Sequence, residues 1–274
     1  MHPIAFKLGT WPLHWYGVLV ALGFVAGLWT ASRRAPRSGL RPEQAADVGP
    51  WLIIGTILGA RSLYVATYWK ESFAGEPWKE IFMVQHGGLV FYGGLIGASL
   101  ATILYCTFRR VPLWRLADTL APSIALGYVF GRIGCLMNGC CFGSQCSLPW
   151  AITYPRGHET FKGDVPELVH PTQIYDALLS LGLYLFLAWL YRRKKFDGQI
   201  FAVYLIGYAF TRSFVEYFRG DYNAAHIHGG FFTPAQLVSA GCLVTGVVFW
   251  LVLRGMKAKT PGGVSPKSQI PSAK

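Results

Sequence analysis

Seven apolar stretches, each about 20 residues long, constrain this chain more than any other feature of its sequence. They lie at 12–31, 48–69, 88–108, 118–137, 171–191, 199–218 and 233–253. An α-helix needs about 20 apolar residues to cross the hydrocarbon core of a bilayer. Hydrophobic residues make up 53% of the chain and charged residues only 14%, as is typical of integral membrane proteins. The sequence therefore predicts an all-α polytopic membrane protein with about seven transmembrane helices.

The basic residues are concentrated in alternate loops between these stretches. Clusters of Lys and Arg follow the first, third, fifth and seventh stretches, at 33–41, 109–115, 192–195 and 254–274. Because positively charged loops are retained in the cytoplasm, we predict that the N-terminus is outside and the C-terminus is cytoplasmic. Topology and attraction to anionic headgroups account for the net charge of +12, so we predict no nucleic-acid partner.

The chain is predicted to form one integral-membrane catalytic domain over residues 1–254. Its outward-facing segments near 138–170 and 219–232 are long, and long loops are often functional. The tail at 255–274 is rich in Lys, Pro, Gly and Ser, which predicts a disordered cytoplasmic segment. We therefore expect the chemistry in the outer half of the membrane or just above it.

Three arginines, Arg61, Arg132 and Arg212, lie within the apolar stretches. An arginine side chain remains charged, and a charge inside the membrane is costly and usually functional. Together they suggest a buried anionic ligand, and a lipid phosphate is the most abundant candidate. For Arg61 the alternative is a side chain that reaches the membrane interface.

One helix face in the sixth stretch carries Tyr208, Arg212 and Glu216 at intervals of four residues. Arg212 and Glu216 can form an ion pair that only helps the helix to insert. The carboxylate can also aim the guanidinium at a phosphate. The sequence leaves both interpretations open.

The third and fifth stretches begin with further candidate residues. Two Gly-Gly pairs lie within 87–97, and they favour tight packing between helices, with close approach of a ligand as the alternative. His170 precedes Pro171 at the start of the fifth stretch, a position that suits the first turn of a helix. His170 is therefore expected near the outer interface, as a structural residue or as a ligand.

Four of the six cysteines, Cys135, Cys140, Cys141 and Cys146, are clustered in the sequence. Their spacing matches no usual zinc pattern, so we predict no metal site. Disulfides in an oxidising compartment are one alternative. Free thiols are the other.

Several short motifs follow one another over most of the chain. They lie at 15–17, 59–61, 87–97, 131–134, 138–139, 170–175 and 212–219. In order and spacing they resemble the bacterial prolipoprotein diacylglyceryl transferase family. The resemblance implies transfer of a diacylglyceryl group from phosphatidylglycerol to the lipobox cysteine of a prolipoprotein, forming a thioether and releasing glycerol phosphate. It also implies an enzyme of the bacterial cytoplasmic (inner) membrane that needs no cofactor. Its partners would be phosphatidylglycerol, the prolipoprotein signal peptide and membrane lipids.

The same resemblance assigns roles to individual residues. Arg132 and Arg212 would bind and activate the lipid phosphate, and Tyr92 would be the third catalytic residue. The further substrate-binding residues that it implies are Tyr16, Arg61, Asn138, His170, Tyr208 and Glu216.

The chain departs from the family pattern at three positions. Tyr92 replaces a histidine that is regarded as a catalytic base or proton relay, Cys135 replaces an asparagine, and Cys140 replaces an acidic residue. Tyrosine is a poor base at neutral pH, and His86 is an alternative base. A paralogue that acts on another thiol or lipid, and a lipid or anion transporter, are the competing functions.

Overall fold

The computed structural model describes residues 4–8, 11–73, 78–83, 87–155, 158, 160–162, 165–220 and 233–258. The α-helices are α1 (Trp15–Arg34), α2 (Pro42–Ala46), α3 (Val48–Thr67), α4 (Phe91–Arg109), α5 (Leu113–Asn138), α6 (Thr172–Tyr191), α7 (Gln199–Glu216) and α8 (Pro234–Ala258). Short 3-10 helices cover Ala35–Ser38 and Trp78–Phe82, and a π-helical turn covers Trp69–Phe73. Two antiparallel hairpins, β1–β2 (Ile4–Leu8, Trp11–His14) and β3–β4 (Phe161–Lys162, Val165–Pro166), accompany the helices.

The prediction of a helical polytopic membrane protein is confirmed. Among the described residues, six helices are long and apolar enough to cross a membrane: α1 with its 3-10 extension, α2–α3, α4, α5, α6 and α8. The remaining long helix, α7, carries Arg212 and Glu216 and is not among these six. These seven helices coincide with the seven predicted stretches, and their orientation across the membrane stays a prediction.

The chain divides into two compact units, one of residues 1–31 and 117–274 and the other of residues 32–116. Within the first unit, α7 packs against both α6 and α8. A buried cluster of Leu187, Tyr191 and Ile200 joins α6 and α7 to α5 through Ala121 and Ala125. This packing fixes the relative positions of the three helices that carry the candidate arginines and their partners.

Asp118 fixes the start of α7 against α5. Its buried carboxylate accepts hydrogen bonds from the backbone N–H groups of Gly198 and Ile200, both at 2.8 Å, and pairs with Lys194 at 3.2 Å. Backbone N–H groups at a helix N-terminus lack partners within the helix, and a carboxylate there also complements the helix dipole. The contact therefore sets the register between α5 and α7, on which the position of Arg212 depends.

In the second unit, α3 and α4 touch backbone to backbone at a seam of glycines. A methyl group built on Gly59 would overlap the carbonyl oxygen of Gly93, and one on Gly97 would overlap that of Gly55. Small residues allow such close approach between membrane helices. The seam agrees with the expected packing role of Gly93 and Gly97.

The predicted domain boundaries stay a prediction. Helix α8 continues to Ala258, past the expected end of the domain at residue 254. Residues 221–232 of the second outward-facing segment and residues 259–274 of the tail lie outside the described residues.

Candidate active site

Arg132 lies in the last two turns of α5, one turn after Tyr128 on the same face. Its Nε lies 2.8 Å from Asp176 Oδ2, and its Nη2 donates to the Tyr128 hydroxyl. The guanidinium carbon also lies 4.8 Å from the centre of the Tyr128 ring. Tyr128 in turn donates to Asp176 Oδ2 at 3.2 Å. Arg132 is thus held by the Asp176 carboxylate and the Tyr128 ring. Its described polar contacts involve Nε and Nη2, so the other N–H groups of the guanidinium can donate to a ligand.

Asp176, in the first turns of α6, is the site residue that the sequence analysis missed. It is buried, with 1% of its surface exposed. It lies within Coulombic reach of Arg132, Arg212 and Arg219. Its signal in the sequence was an acidic residue inside an apolar stretch, which needs a cationic partner. The helix that supplies the partner could not be read from spacing.

Arg212 and Glu216 form the ion pair that the sequence left open, with 2.8 Å between Nη2 and Oε2. Oε2 makes no directed hydrogen bond, so the pair rests on charge and distance. The other carboxylate oxygen, Oε1, accepts from the Thr233 hydroxyl at 2.7 Å. Glu216 is therefore fixed from two sides and can hold Arg212 in one orientation.

The Nη1 atom of Arg212 is buried and has no hydrogen-bond partner among the described residues. A buried donor without a partner costs about 1–3 kcal/mol, and more when it is charged. The charges of Arg132 and Arg212 both act on Asp176. The free donor on Arg212, close to a second arginine, is the feature that an anionic ligand would satisfy.

Tyr208 lies on α7, one turn before Arg212. Its ring meets that of Tyr128 edge to face, with 6.0 Å between centroids, and it lies within Coulombic reach of Arg212 and Arg132. The structure therefore brings together four of the residues proposed from sequence: Arg132, Arg212, Tyr208 and Glu216.

Tyr16 and Asn138 line a common groove of about 830 Å³ between β2, α1 and the end of α5. Apolar side chains such as Leu13 and Leu22 form most of its wall. Tyr16 packs against Gly134, two residues after Arg132: a methyl group built on Gly134 would lie 3.1 Å from the Tyr16 ring. The groove therefore adjoins the turn of α5 that carries Arg132. Its size and lining suit a hydrocarbon chain or an apolar peptide segment.

Arg61, in the second unit, makes different contacts from the expected phosphate contact. Its guanidinium donates to four backbone carbonyls, with Nε–O and Nη–O distances of 2.5–3.2 Å. They belong to Glu80, Ile81, Gly87 and Gly88. These contacts assign Arg61 to holding the chain between α3 and α4. Its role in binding lipid stays a prediction.

Tyr92 is the second residue of α4 and is about half-exposed, with an edge-to-face contact to Phe91 at 5.9 Å. It belongs to the second unit, and its catalytic role stays a prediction. His86, the alternative base, lies outside the described residues.

His170 belongs to an aromatic group with Tyr175 and Phe218. Its Nδ1 lies 3.2 Å from the Tyr175 hydroxyl, and its ring meets Phe218 edge to face at 5.3 Å. Its backbone N–H donates to the carbonyl of Ser144. The described contacts of His170 thus hold the 139–171 segment in place, and its role as a ligand stays a prediction.

Three ionisable groups of this segment, Cys140, Cys141 and Tyr154, have shifted pKa values. Burial raises the pKa of Tyr154 to about 12, so its hydroxyl stays protonated. The neighbouring thiols of Cys135 and Cys140 lower the pKa of Cys141, and the charges of Arg219 and Arg132 add to this effect. Against the opposing effect of Cys135, the contact with Cys141 and burial raise the pKa of Cys140, so Cys141 ionises more readily than Cys140.

Comparisons with known proteins give one consistent result. The sequence pattern of the prolipoprotein diacylglyceryl transferase family matches residues 3–252. The chain is 37% identical to the phosphatidylglycerol–prolipoprotein diacylglyceryl transferase of Nitratidesulfovibrio vulgaris, over 93% of this chain and 94% of the relative. It is 35% identical to the proteins of that name from Synechococcus elongatus, over 96% and 91%, and from Rhodospirillum rubrum, over 95% and 96%.

Proposed function

Because this chain belongs to the prolipoprotein diacylglyceryl transferase family, we propose that it transfers a diacylglyceryl group from phosphatidylglycerol to the lipobox cysteine thiol of a prolipoprotein. A carbon–sulfur bond forms at the glyceryl carbon, and the bond from that carbon to the phosphate oxygen breaks. The thiol proton is lost, and glycerol phosphate leaves. The arginines of α5 and α7 carry the proposal, since Arg212 has a buried donor without a partner among the described residues and Arg132, held by Asp176, provides a second cation for the phosphate.

Arg132 and Arg212 bind the phosphate of the lipid from two helices. The ion pairs with Asp176 and Glu216 orient the two guanidinium groups before the lipid arrives. When the carbon–oxygen bond breaks, the phosphate gains negative charge. Donors that are already aimed at that charge stabilise the transition state more than the ground state. Removing one such donor costs about 10²–10³ in kcat.

The groove beside Arg132 holds apolar parts of the substrates. Tyr16 and Asn138 lie at its wall, where they can contact the glycerol region of a lipid whose acyl chains occupy the groove. Holding two membrane-bound substrates next to each other lowers the entropic barrier to their reaction. The groove thus contributes by orientation, whereas the arginines contribute by charge.

The protein is a multi-pass membrane protein, and we place it in the bacterial inner membrane with the N-terminus outside. The alternating basic loops support this orientation. It puts the end of α5 and the 139–171 segment on the outer side, where a secreted precursor presents its lipobox.

Purified protein in phosphatidylglycerol liposomes with a synthetic lipobox peptide tests the function. Mass spectrometry is expected to find a diacylglyceryl adduct on the peptide cysteine, and Arg132→Ala and Arg212→Ala to lower its rate at least 100-fold. Arg109→Ala is the matched control. Arg109 also pairs with a carboxylate, that of Asp47 at 3.5 Å, but both side chains are exposed. No adduct from folded wild-type protein would contradict the proposal and favour a paralogue with another acceptor. Equal losses in all three variants would contradict the assigned site.

A further inference from the structure

The end of α5 brings two cysteines together through its helix cap. Gly139 has φ of +79°, its N–H donates to the carbonyl of Leu136, and the N–H of Cys140 donates to that of Cys135. This is the Schellman motif, with Asn138 as the cap residue. In this motif the side chain three residues before the cap residue contacts the side chain two residues after it. An apolar pair usually occupies these two positions. Here they are Cys135 and Cys140.

A third thiol is turned toward the same point. Cys141 has φ of +63°, a left-handed conformation that a residue with a Cβ rarely adopts. The Sγ atoms of Cys135, Cys140 and Cys141 all lie within 4.8 Å of one another. Three thiolates on one Zn²⁺ lie about 3.8–4.0 Å apart, given a Zn–S distance of about 2.3 Å. The cluster therefore needs only small side-chain movements to surround a metal ion.

Contacts that do not involve the thiols hold this arrangement. The Nε2–H of His158 donates to the Gly139 carbonyl at 2.6 Å. Gln173 Nε2 donates to the carbonyl of Cys140 and the Thr172 hydroxyl to that of Cys141, both at 2.7 Å. Three consecutive carbonyls are thus fixed, and the thiols are positioned before any ligand binds. His158 also uses Nδ1 on Thr160, so its ring is a support and not a fourth ligand.

The three thiols lie beside the proposed reaction site. Tyr16 packs against Gly134, which directly precedes Cys135, and all three thiols are partly exposed. Two of them, Cys135 and Cys140, are departures from the family pattern. The third departure, Tyr92, removes the histidine regarded as the base. The resemblance thus implies that the chain lacks the usual group for activating the acceptor thiol, whereas its described residues include a cluster of three possible metal ligands.

We propose that Cys135, Cys140 and Cys141 bind Zn²⁺ and that the acceptor cysteine of the prolipoprotein occupies the fourth position. Catalytic zinc sites have three protein ligands and one open position, and a thiol bound to zinc is deprotonated. The acceptor thiol releases its proton to solvent, its sulfur attacks the glyceryl carbon, and the electron pair of the broken bond leaves on the phosphate oxygen near Arg132. The thioether product carries no charge and is a weaker ligand, so it dissociates. The part of this proposal that concerns the acceptor thiol is its catalytic half, and it rests on the proposed transferase function.

The proposal differs from the expectation of no metal ligands, which rested on spacing alone. The helix cap, and not a short metal-binding repeat, brings the ligands together. Four sulfur ligands in a tetrahedron are a coordination that zinc prefers. The three thiols of the protein and the one thiol of the substrate would complete that set.

Metal content is the first test, and it does not depend on activity. Full-length protein in detergent micelles is reduced, loaded with zinc chloride and desalted, and bound zinc is measured by elemental mass spectrometry. We expect about one zinc per chain and loss of zinc in Cys135→Ser, Cys140→Ser and Cys141→Ser. Cys146→Ser and Cys242→Ser are matched controls that should keep it. Wild-type protein with no more zinc than the three variants, or with a disulfide within the cluster after reduction and reloading, would overturn the site.

X-ray absorption at the zinc edge tests the open position on wild-type protein, so that a misfolded variant cannot obscure the answer. We expect sulfur neighbours at about 2.3 Å, three before and four after addition of the lipobox peptide. The same peptide with serine in place of cysteine should leave three. A sulfur count that the cysteine peptide does not change would overturn the proposed activation of the thiol.

Activity then separates this proposal from the transferase assignment. Removing zinc with a chelator should slow adduct formation at least about 100-fold, the scale of proton-transfer catalysis, and added zinc should restore it. Zinc-free protein that forms the adduct at full rate would overturn the zinc proposal and leave the transferase function standing. If no adduct forms at any zinc level although zinc and the peptide thiol bind as expected, the transferase function is contradicted. The catalytic half of this inference then falls with it, and the zinc site remains.

Discussion

Asp176→Asn tests the buried charge group around Arg132 with almost no change in side-chain size. At the 2.8 Å between Arg132 Nε and Asp176 Oδ2, the attraction is about 6 kcal/mol for an effective dielectric constant of about 20. Desolvation offsets much of it, and removing one partner of a buried pair typically costs about 3–5 kcal/mol. We therefore expect the Tm in detergent micelles to fall on the order of 10 °C.

The same substitution should slow catalysis, because Arg132 loses the carboxylate that orients it. We expect the rate of adduct formation to fall about 10²–10³-fold. Phosphatidylglycerol then becomes the main counter-ion of Arg132. The lipid should therefore bind the variant more tightly and raise its Tm more than that of the wild type. A ligand at 100 times its Kd stabilises a protein by about 2.7 kcal/mol, and this stabilisation grows as the Kd falls.

Asp47→Asn is the matched control for this experiment. Asp47 also pairs with an arginine, Arg109, but at 3.5 Å and with both side chains at least half exposed. Exposed pairs contribute about 0–1 kcal/mol, so this variant should unfold and react like the wild type. If Asp176→Asn also keeps the wild-type rate and Tm, then Asp176 does not orient Arg132 and the reasoning is refuted.

Three further substitutions test other parts of the molecule. Tyr92→Phe should lower the rate of adduct formation, and a wild-type rate would exclude a catalytic role for the hydroxyl. Gly59→Ala should lower the Tm by an amount that corresponds to about 1–3 kcal/mol, because the new methyl group overlaps the Gly93 carbonyl oxygen. Gly182→Ala places its methyl group in open space and should leave the Tm unchanged. Equal effects of the two substitutions would argue against the seam. Arg61→Lys should speed hydrogen exchange of residues 87–90, because one ammonium cannot replace a guanidinium that spans four carbonyls, and unchanged exchange would contradict that role.

The sequence predicts the helices well and the site in part, for physical reasons that differ between residues. Length and hydropathy are local properties, so the seven apolar stretches are recognised directly. Arg132 and Arg212 stand out because charge is rare in such stretches. Asp176 was missed because its partner is on another helix, and the register between α5 and α6 depends on packing.

The thiol cluster and the contacts of Arg61 were hidden for another reason. A Schellman cap brings residues five positions apart into contact, a spacing that metal-binding patterns do not use. The partners of Arg61 are backbone carbonyls, which every residue has and no sequence pattern marks. Both features depend on backbone geometry and not on residue type.

The contacts of Arg61 have a consequence for how the protein enters the membrane during synthesis. Its carbonyl partners lie 19 to 27 residues later in the chain, so α3 emerges from the ribosome before any of them does. A lone arginine at the centre of a membrane helix costs about 2.5–3.5 kcal/mol on insertion. The cost disappears only when the following segment has folded back, which is also when α4 can close the glycine seam. Helices α3 and α4 are therefore expected to leave the translocation channel together, as one hairpin.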